Sequence, residues 1–563
     1  MKVTDYIMEF LAERGIGDIF GYPGGHITHF VDSASKHSSI MPHLAYHEQG
    51  AAFAACGYGQ AGGRPGTAFS TSGPGATNLV TGIADAFYDS IPAVFFTGQA
   101  GTYSSKGAFP IRQRGFQETD IVSMTKSVAK YAEYVARPDR IKFCLEKAYY
   151  LAGEGNPGSC VLDLPSDVQR AEINPKQLEG YTCPEKKQKS GAGIENIIQA
   201  LRKAKRPVIL AGNGCRRARD SFRELAEKIG APVTASLPAF DMLTASHPLN
   251  FGFIGTNGSR AANILLAKCD LILVLGSRMD LRQIGLERGK FAPQAGIIRV
   301  DADENQFFYP VRGDEHNICA DLSEFMPELS AKLDRYDFSP WLEVCREIKK
   351  ALAEVDRKEY HQEISEFSSK VPDDAVITID VGQNQLWVAQ AFEVKGRQSA
   401  YMSAGHGAMG YALPAAAGVY YASGKPVYAF CGDGGFMMNL QELQWLKRDK
   451  IPVSIVCLNN HSLGMIRSWQ QMHMNGNCRM TVEESGYLAP DLKKIARAFD
   501  MQYSCLSGLE DIQKLKLNPH VPALFEMVLK PDTMTVPNFD KDTALYDQKP
   551  HISRRKLDYL MNL

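Results

Sequence analysis

Short apolar runs that end in glycine or a turn residue recur along the whole chain, and this recurrence limits the fold more than any other feature. The first third carries IFGYPGG, PGTAFSTSGPG, PAVFFTGQ and SCVLDLP. The middle carries RPVILAGNG (206–214), LILVLGSRMD (271–280) and GIIRVDAD (296–303), and the last third AVITIDVGQNQ (375–385), PVYAFCGDGG (426–435) and PVSIVCLNN (452–460). Runs that are apolar at every position, rather than at alternate ones, predict strands covered on both faces, as in parallel sheets. The expected fold class is therefore α/β, with three successive doubly wound parallel-sheet domains. A length of 563 residues exceeds one ordinary domain and fits this plan.

The polar, Lys- and Glu-rich stretch 171–192, broken by Pro and Gly, predicts a linker between a first domain (1–170) and a central domain (193–345). A charged segment of helical period at 346–370 predicts a connecting helix, before a third domain (371–540) and a C-terminal tail (541–563). Lys plus Arg (62) and Asp plus Glu (63) nearly cancel. That balance leaves no basic field for nucleic acid or anionic membrane. No run approaches the roughly 18 apolar residues of a membrane span. The N-terminal MKVTDYIMEFLAERGI mixes acids with helically spaced apolar residues, unlike a signal peptide. A cytoplasmic protein is expected. The twelve cysteines form no CxxC pair and no zinc spacing, which predicts free, buried thiols in a reducing compartment.

Residues 432–460 carry the most specific signal. Gly432-Asp433-Gly434 ends one apolar run, a helical segment with Phe436, Leu440 and Leu443 on one face follows, and the next apolar run ends in Asn459-Asn460. Adjacent strand ends at the carboxyl edge of a parallel sheet are where α/β folds hold ligands. Mg²⁺ takes six oxygens, commonly one or two from carboxylates and the rest from phosphates and water. Asp433 offers a carboxylate and Asn460 an amide oxygen, while Gly432, Gly434 and Gly435 let backbone approach a diphosphate. A P-loop would need a GxxxxGK[ST] lysine, which is missing here. A lone GDG would be a turn; GDG, helix and NN in this order resemble the thiamine-diphosphate fingerprint.

Over nearly its whole length the chain resembles the acetolactate synthase family, through GYPGG (21–25), HEQGAA (47–52), TSGPGATN (71–78), FQE (116–118), VGQNQ (381–385), GAMGYALPAA (407–416) and LGMIRSWQ (463–470). The resemblance implies thiamine diphosphate and Mg²⁺ as cofactors, with Asp433, Asn460 and the Ser462 carbonyl as metal ligands. It makes Glu48 the acid that shares a proton with the aminopyrimidine ring, a role favoured by an apolar surrounding such as the AAFAAC that follows. Met409 becomes the prop under the folded cofactor and Gly407 a backbone contact to its pyrimidine. Tyr22, Asn78, Gly382, Gln383 and Asn384 are also placed at the cofactor, although the family usually has His at 384. Trp469, Met465, Phe116 and Gln117 become the substrate pocket. The implied reaction is decarboxylation of a 2-keto acid, pyruvate, and transfer of its acetyl unit to an acceptor carbonyl. Domains of two subunits complete the site in this family, so a homodimer is the minimum and a homotetramer the usual form.

The segment GSRMDLR (276–282) resembles the family's flavin-binding stretch through Arg278, Asp280 and Arg282, with Leu281 in place of an acid and Asn257 in place of a His. Asp301 and Asp321 are candidates for ribose or adenine contacts. FAD in a structural role is expected. Two departures concern the acceptor: His26 replaces a small residue after YPGG, and the segment 102–115, with Lys106, Arg112 and Arg114, is longer than its counterpart. Both resemble relatives that transfer acetyl units to nucleotide-linked keto sugars, as in the yersiniose pathway, where arginines would hold phosphate. His26 could equally be neutral filler. Trp469 favours a second 2-keto acid as acceptor. The alternatives are a flavin-dependent pyruvate oxidase, a simple 2-keto acid decarboxylase and an inactive relative; retention of Glu48, Asp433 and Asn460 opposes the last.

Overall fold

The computed structural model describes residues 1–184, 193–538 and 543–563. Each of the ten apolar runs quoted above contains a strand, and all strand pairings are parallel. The first sheet holds β1 (Asp18–Gly21), β2 (Met41–Leu44), β3 (Gly66–Ser70), β4 (Ala93–Gln99), β5 (Tyr131–Tyr134) and β6 (Ser159–Pro165) in the order 2-1-3-4-6-5. The second holds β7 (Pro207–Ala211), β8 (Val233–Ala235), β9 (Asn250–Phe253), β10 (Leu271–Leu275), β11 (Gly296–Asp301) and β12 (His316–Cys319) in the order 12-11-10-7-8-9. The third holds β13 (Val376–Ile379), β14 (Ser399–Met402), β15 (Val427–Gly432), β16 (Val453–Asn459), β17 (Gln502–Leu506) and β18 (Ala523–Val528) in the order 14-13-15-16-18-17.

The first and third sheets thus share one strand order, and the central one differs. Relabelled within its domain, the central order runs 3-2-1-4-5-6 from the other edge, that of dinucleotide-binding folds. Its order reverses between β7 and β10, and those of the outer sheets between β1 and β3 and between β13 and β15. Such reversals splay the loops at the carboxyl ends apart and open crevices there.

Two helices rich in Ala and Gly join the outer domains. The Glu48–Gly62 helix (EQGAAFAACGYGQAG) crosses the Ala412–Ser423 helix (ALPAAAGVYYAS) so closely that backbone meets backbone. A Cβ at Gly57 would lie 2.2 Å from the Ala415 carbonyl oxygen, and one at Gly418 would lie 1.8 Å from that of Ala54. One apolar core runs through this crossing from Phe20 and Phe95 of the first domain to Trp445 and Ile455 of the third. The central domain has its own core.

The single connecting helix expected at 346–370 is two helices, Ser339–Leu352 and Glu359–Lys370. The first packs Trp341, Cys345 and Ile348 into the central core, the second packs Tyr360, Ile364 and Phe367 into the third domain. Each helix follows the core it covers, so the chain breaks where it changes core. In the tail, the Arg554–Asn562 helix returns to the central domain through Leu557 and Leu560. The described part of the expected linker runs along the first domain, where the amino group of Met1 meets Glu172; residues 185–192 lie outside the described residues. Eight of the twelve cysteines are buried as expected, while Cys183 and Cys505 are exposed. No described helix is long and apolar enough to cross a membrane.

Gly57→Ala is expected to force the two helices apart, at a cost of about 1–3 kcal/mol. Thermal unfolding reads this as a clear fall in Tm, whereas Gly153→Ala, at a site with open space around it, leaves Tm unchanged. The framework also buries Asp163, Asp380 and Glu442, each pushed up to about 7 by burial. The folded chain therefore holds protons that the unfolded chain has already released, and stability falls as pH rises through that value. The half-buried His361, held down at about 4 by desolvation, opposes this only below its ordinary value of 6.5. Tm of the ligand-free protein should accordingly drop between pH 6.5 and pH 8.

Candidate active site

The residues singled out from the sequence gather in three places, each at the carboxyl edge of a sheet. In the first domain, β1 runs into Tyr22–His26 and β3 into Thr71–Gly73, on the two sides of the order reversal. His26 bridges them: its backbone N–H donates to the Thr71 hydroxyl (3.2 Å), and Nδ1 lies 2.6 Å from Ser72 Oγ. Burial holds this imidazole below its ordinary value, so it is neutral at pH 7. Glu48, at the first turn of its helix, is part-buried and accepts from Asn78 Nδ2 at 2.9 Å. Gly75 opens the way, since a Cβ there would sit 3.1 Å from Glu48 Oε1. Gln117, with φ 56°, packs on Gly73, and Phe116 beside it is 79% exposed.

In the third domain, β15 delivers Asp433 and β16 delivers Asn460 on neighbouring paired strands. Asp433 is buried, accepts from the Tyr487 hydroxyl at 2.9 Å and is pushed up to about 6 by burial. Asn460 turns its Nδ2 toward Gln383 Oε1 (3.3 Å), which leaves its Oδ1 without a hydrogen-bond partner among the described residues. Gln383 in turn donates to Ser468 Oγ at 3.0 Å. Asn384 donates to the carbonyls of Asp380 and Val381, and its own Oδ1 is buried and unpaired, as is the Ser462 hydroxyl. The Ser462 carbonyl accepts from Gly464 N–H at 2.8 Å. Gly382 and Gly407 adopt φ of 110° and 71°, conformations a side chain would strain. Gly434 packs on Leu463 and Gly435 on Asp380, so both glycines keep the turn after β15 low and its backbone open. Met409, Met465 and Trp469 project from this edge, Trp469 being 56% exposed with its ring tilted at 42° against that of His473.

Among the described residues no hydrogen bond joins Tyr22, His26, Glu48, Asn78, Phe116 or Gln117 to the Asp433–Asn460 group, and each half leaves large apolar side chains facing solvent.

The third place is the order reversal of the central sheet. A cavity of about 600 Å³ opens there, lined by Arg217, Asn257, Arg278, Asp280, Asp301 and Asp321 among others. Gly214 and Gly276 bring the ends of β7 and β10 into contact, a Cβ on Gly276 lying 2.7 Å from Gly214 Cα. Arg216 is spent on the buried Asp241 (2.7 Å), but Arg278 lies 3.9 Å from its nearest carboxylate, that of Asp280. Asp280 caps the four-residue helix Leu281–Ile284 through Arg282 N–H, Asp321 caps the eleven-residue helix Leu322–Lys332 through Ser323 N–H, and burial pushes Asp301 up.

Three residues escaped the sequence reading. Asp380 ends the run ITID and accepts Gly410 N–H through both oxygens (3.1 and 3.0 Å), so its place at a strand end was the available signal. Glu442 accepts from Tyr46 N–H across the domain boundary. Tyr487 lies in a stretch without periodicity and gave no signal.

Comparison with known proteins agrees with the order of the three domains. Family models match in order along the chain: "Thiamine pyrophosphate enzyme, N-terminal TPP binding domain" at residues 1–124, "Thiamine pyrophosphate enzyme, central domain" at 194–329, and "Thiamine pyrophosphate enzyme, C-terminal TPP binding domain" at 380–524. The acetolactate synthase large subunit of Lactococcus lactis subsp. lactis (strain IL1403) is 35% identical over 552 residues, covering 95% of this chain and 93% of that protein. The acetolactate synthase isozyme 2 large subunit of Escherichia coli (strain K12) is 34% identical over 91% of this chain and 92% of its own. A probable acetolactate synthase large subunit of Methanocaldococcus jannaschii is 35% identical over 94% and 92%. With its three domains matched in sequence order and its relatives covered nearly end to end, the chain belongs to the acetolactate synthase branch of the thiamine-pyrophosphate enzymes.

Proposed function

We propose that the protein decarboxylates pyruvate and transfers the acetyl unit to the carbonyl of a second 2-keto acid, with thiamine diphosphate and Mg²⁺ bound between the first domain of one chain and the third domain of another. The observation that carries this reading is the pair Asp433 and Asn460, at adjacent strand ends, one a buried carboxylate and the other with a free amide oxygen. A divalent cation relieves the buried charge of Asp433, and Asn460 Oδ1 and the Ser462 carbonyl add oxygens. Among the described residues no group of three or more His, Cys, Asp or Glu side chains is arranged to hold a metal, so the remaining oxygens would come from a diphosphate and water.

When bound, thiamine diphosphate supplies the carbon nucleophile and the electron sink for CO₂ loss. The chain's own groups orient and protect. Asn78 occupies Glu48 Oε2, leaving Oε1 to share a proton with a ring nitrogen. Met409 and Gly407 would press on the ring system, and Gln383 and Asn384 stand by the diphosphate. Trp469, Met465 and Phe116 would close over the substrate and keep water from a reactive carbon. His26, neutral and anchored to Ser72, can donate or accept one hydrogen bond at the acceptor carbonyl.

A second reading of the acceptor rests on the loop 102–116. Glu118 gathers it, accepting from the N–H groups of Lys106, Arg114 and Gly115 and from the Ser105 hydroxyl, which together hold the carboxyl down at about 2. Arg112 and Arg114 are left exposed beside Phe116. That arrangement favours a bulkier, phosphate-bearing ketone, such as a nucleotide-linked keto sugar. In the central domain, the dinucleotide-type strand order and the cavity with Arg217, Arg278, Arg282, Asp301 and Asp321 favour FAD, held for structure.

With pyruvate, thiamine diphosphate and Mg²⁺, mass spectrometry should detect CO₂ release and acetolactate. Little acetolactate but efficient acetyl transfer to an added nucleotide-linked keto sugar would select the second reading, and no CO₂ under either condition would refute both. Glu48→Gln should lower turnover about 100-fold or more while the cofactor still binds, and Asp433→Ala should lose Mg²⁺-dependent cofactor binding itself. A flavin band that survives anaerobic pyruvate supports the structural role; bleaching would point to the oxidase.

A further inference from the structure

The segment Asn439–Glu442, just beyond the turn that carries Asp433, reaches back into the first domain on both sides of Glu48. Glu442 is 1% exposed, and its two carboxylate oxygens accept the Tyr46 N–H at 3.2 and 3.0 Å. Against the burial that raises this carboxyl, the neighbouring His47 N–H also favours its charged form. Asn439, equally buried, donates from Nδ2 to the Gln49 side chain (3.3 Å) and to the Gly410 carbonyl (2.8 Å), next to Met409. Gln441 closes the set by donating to Asn439 Oδ1 at 3.0 Å. Gly50 is what admits the carboxylate, since a Cβ there would sit 2.4 Å from Glu442 Oε1.

Glu48 is the first residue of its helix, where backbone N–H groups have no partner within the helix and the first turn frays unless something holds it. Among the described residues its side chain is hydrogen-bonded only to Asn78, also of the first domain. A carboxyl that must share a proton with a ring has to be held to within a fraction of an ångström. We propose that Glu442 and Asn439 form a positioning clamp on Glu48, Glu442 fixing the backbone that enters the helix at Tyr46 and His47 and Asn439 fixing Gln49 on the other side. The clamp also ties the placement of Glu48 to the Gly410 turn, so that the first and third domains cannot shift against each other without moving the acid. It rests on the reading of Glu48 as the group that shares a proton with the cofactor.

The test uses the full chain, with Glu442→Gln, Asn439→Ala and, as reference, Glu48→Gln. Glu442→Gln replaces one accepting oxygen with a donating amide at nearly constant volume; Asn439→Ala is the milder variant should the first fail to fold. Both clamp variants should lower kcat about tenfold or more, with KM for pyruvate and Kd for thiamine diphosphate within about threefold, because a misplaced acid costs rate rather than binding. Hydrogen exchange of the ligand-free protein should quicken about tenfold at the amides of residues 46–51, as expected for loss of roughly one hydrogen bond, and remain unchanged in β15 and β16. If Glu48→Gln abolishes turnover while both clamp variants keep wild-type kcat, or keep wild-type exchange at 46–51, the clamp is refuted and the role of Glu48 stands. If Glu48→Gln itself turns over normally, the catalytic reading fails first, and the clamp with it. A uniform rise in exchange across both domains would mean that these residues only hold the domains together, and that too overturns the proposal.

Discussion

Everything at the outer edge of this molecule depends on the crossing of the Glu48–Gly62 and Ala412–Ser423 helices. Glycine and alanine at the contact let the two backbones approach until only hydrogen atoms fit between them, as the clash of an added Cβ at Gly57 or Gly418 with a facing carbonyl makes plain. Close packing of this kind is stiff, because neither helix can move without opening a void or meeting a clash. Glu48 lies at the start of one helix, and the Gly407–Gly410 turn leads into the other. Both are therefore fixed relative to one another by this close contact.

Polar contacts continue the weld. Asp89 at the end of the Pro74–Tyr88 helix accepts three consecutive backbone N–H groups, from Ala404, Gly405 and His406, and Asp85 pairs with the Ser403 hydroxyl. Asp380 holds the Gly410 N–H and Glu442 the Tyr46 N–H. All four carboxyls are buried or nearly so, and burial pushes each of them up. Burying them costs stability, and what it supplies is direction: each accepts from a backbone group or hydroxyl that flanks a residue of the proposed site. The same Ala404 that Asp89 holds also lines the central cavity, so the segment 403–410 is shared between that cavity and the proposed thiamine site.

The sequence was read most easily where strands are covered on all sides. The six strands at the edges of the three sheets, among them MPHL, YAEY, HNIC and QYSCL, mix polar and apolar residues and were not recognisable, whereas the central runs were. β8 is too short to carry a pattern, and β18 (ALFEMV) is interrupted by Glu526, which accepts from Asn459 Nδ2. Asp433, Asn460 and Glu48 were legible because their spacing is tied to strand ends and to a helix start. Tyr487, Ser468 and Ser72 were not, since each reaches its partner through the tertiary fold alone. The break of the expected 346–370 helix was hidden as well, because both pieces have helical period and only the change of core separates them.

The central claim is that the two halves of the site, rigidly placed on one chain, are completed by a second chain. Mixing inactive Glu48→Gln and Asp433→Ala chains, with dissociation and reassociation to form mixed assemblies, tests it most directly. A mixed dimer would contain one site with both defects and one with neither, so turnover should return to about a quarter of the wild-type value at random reassociation. If verified mixed assemblies stay as inactive as their parents, each site is built within one chain, and the account of the two half-sites is wrong.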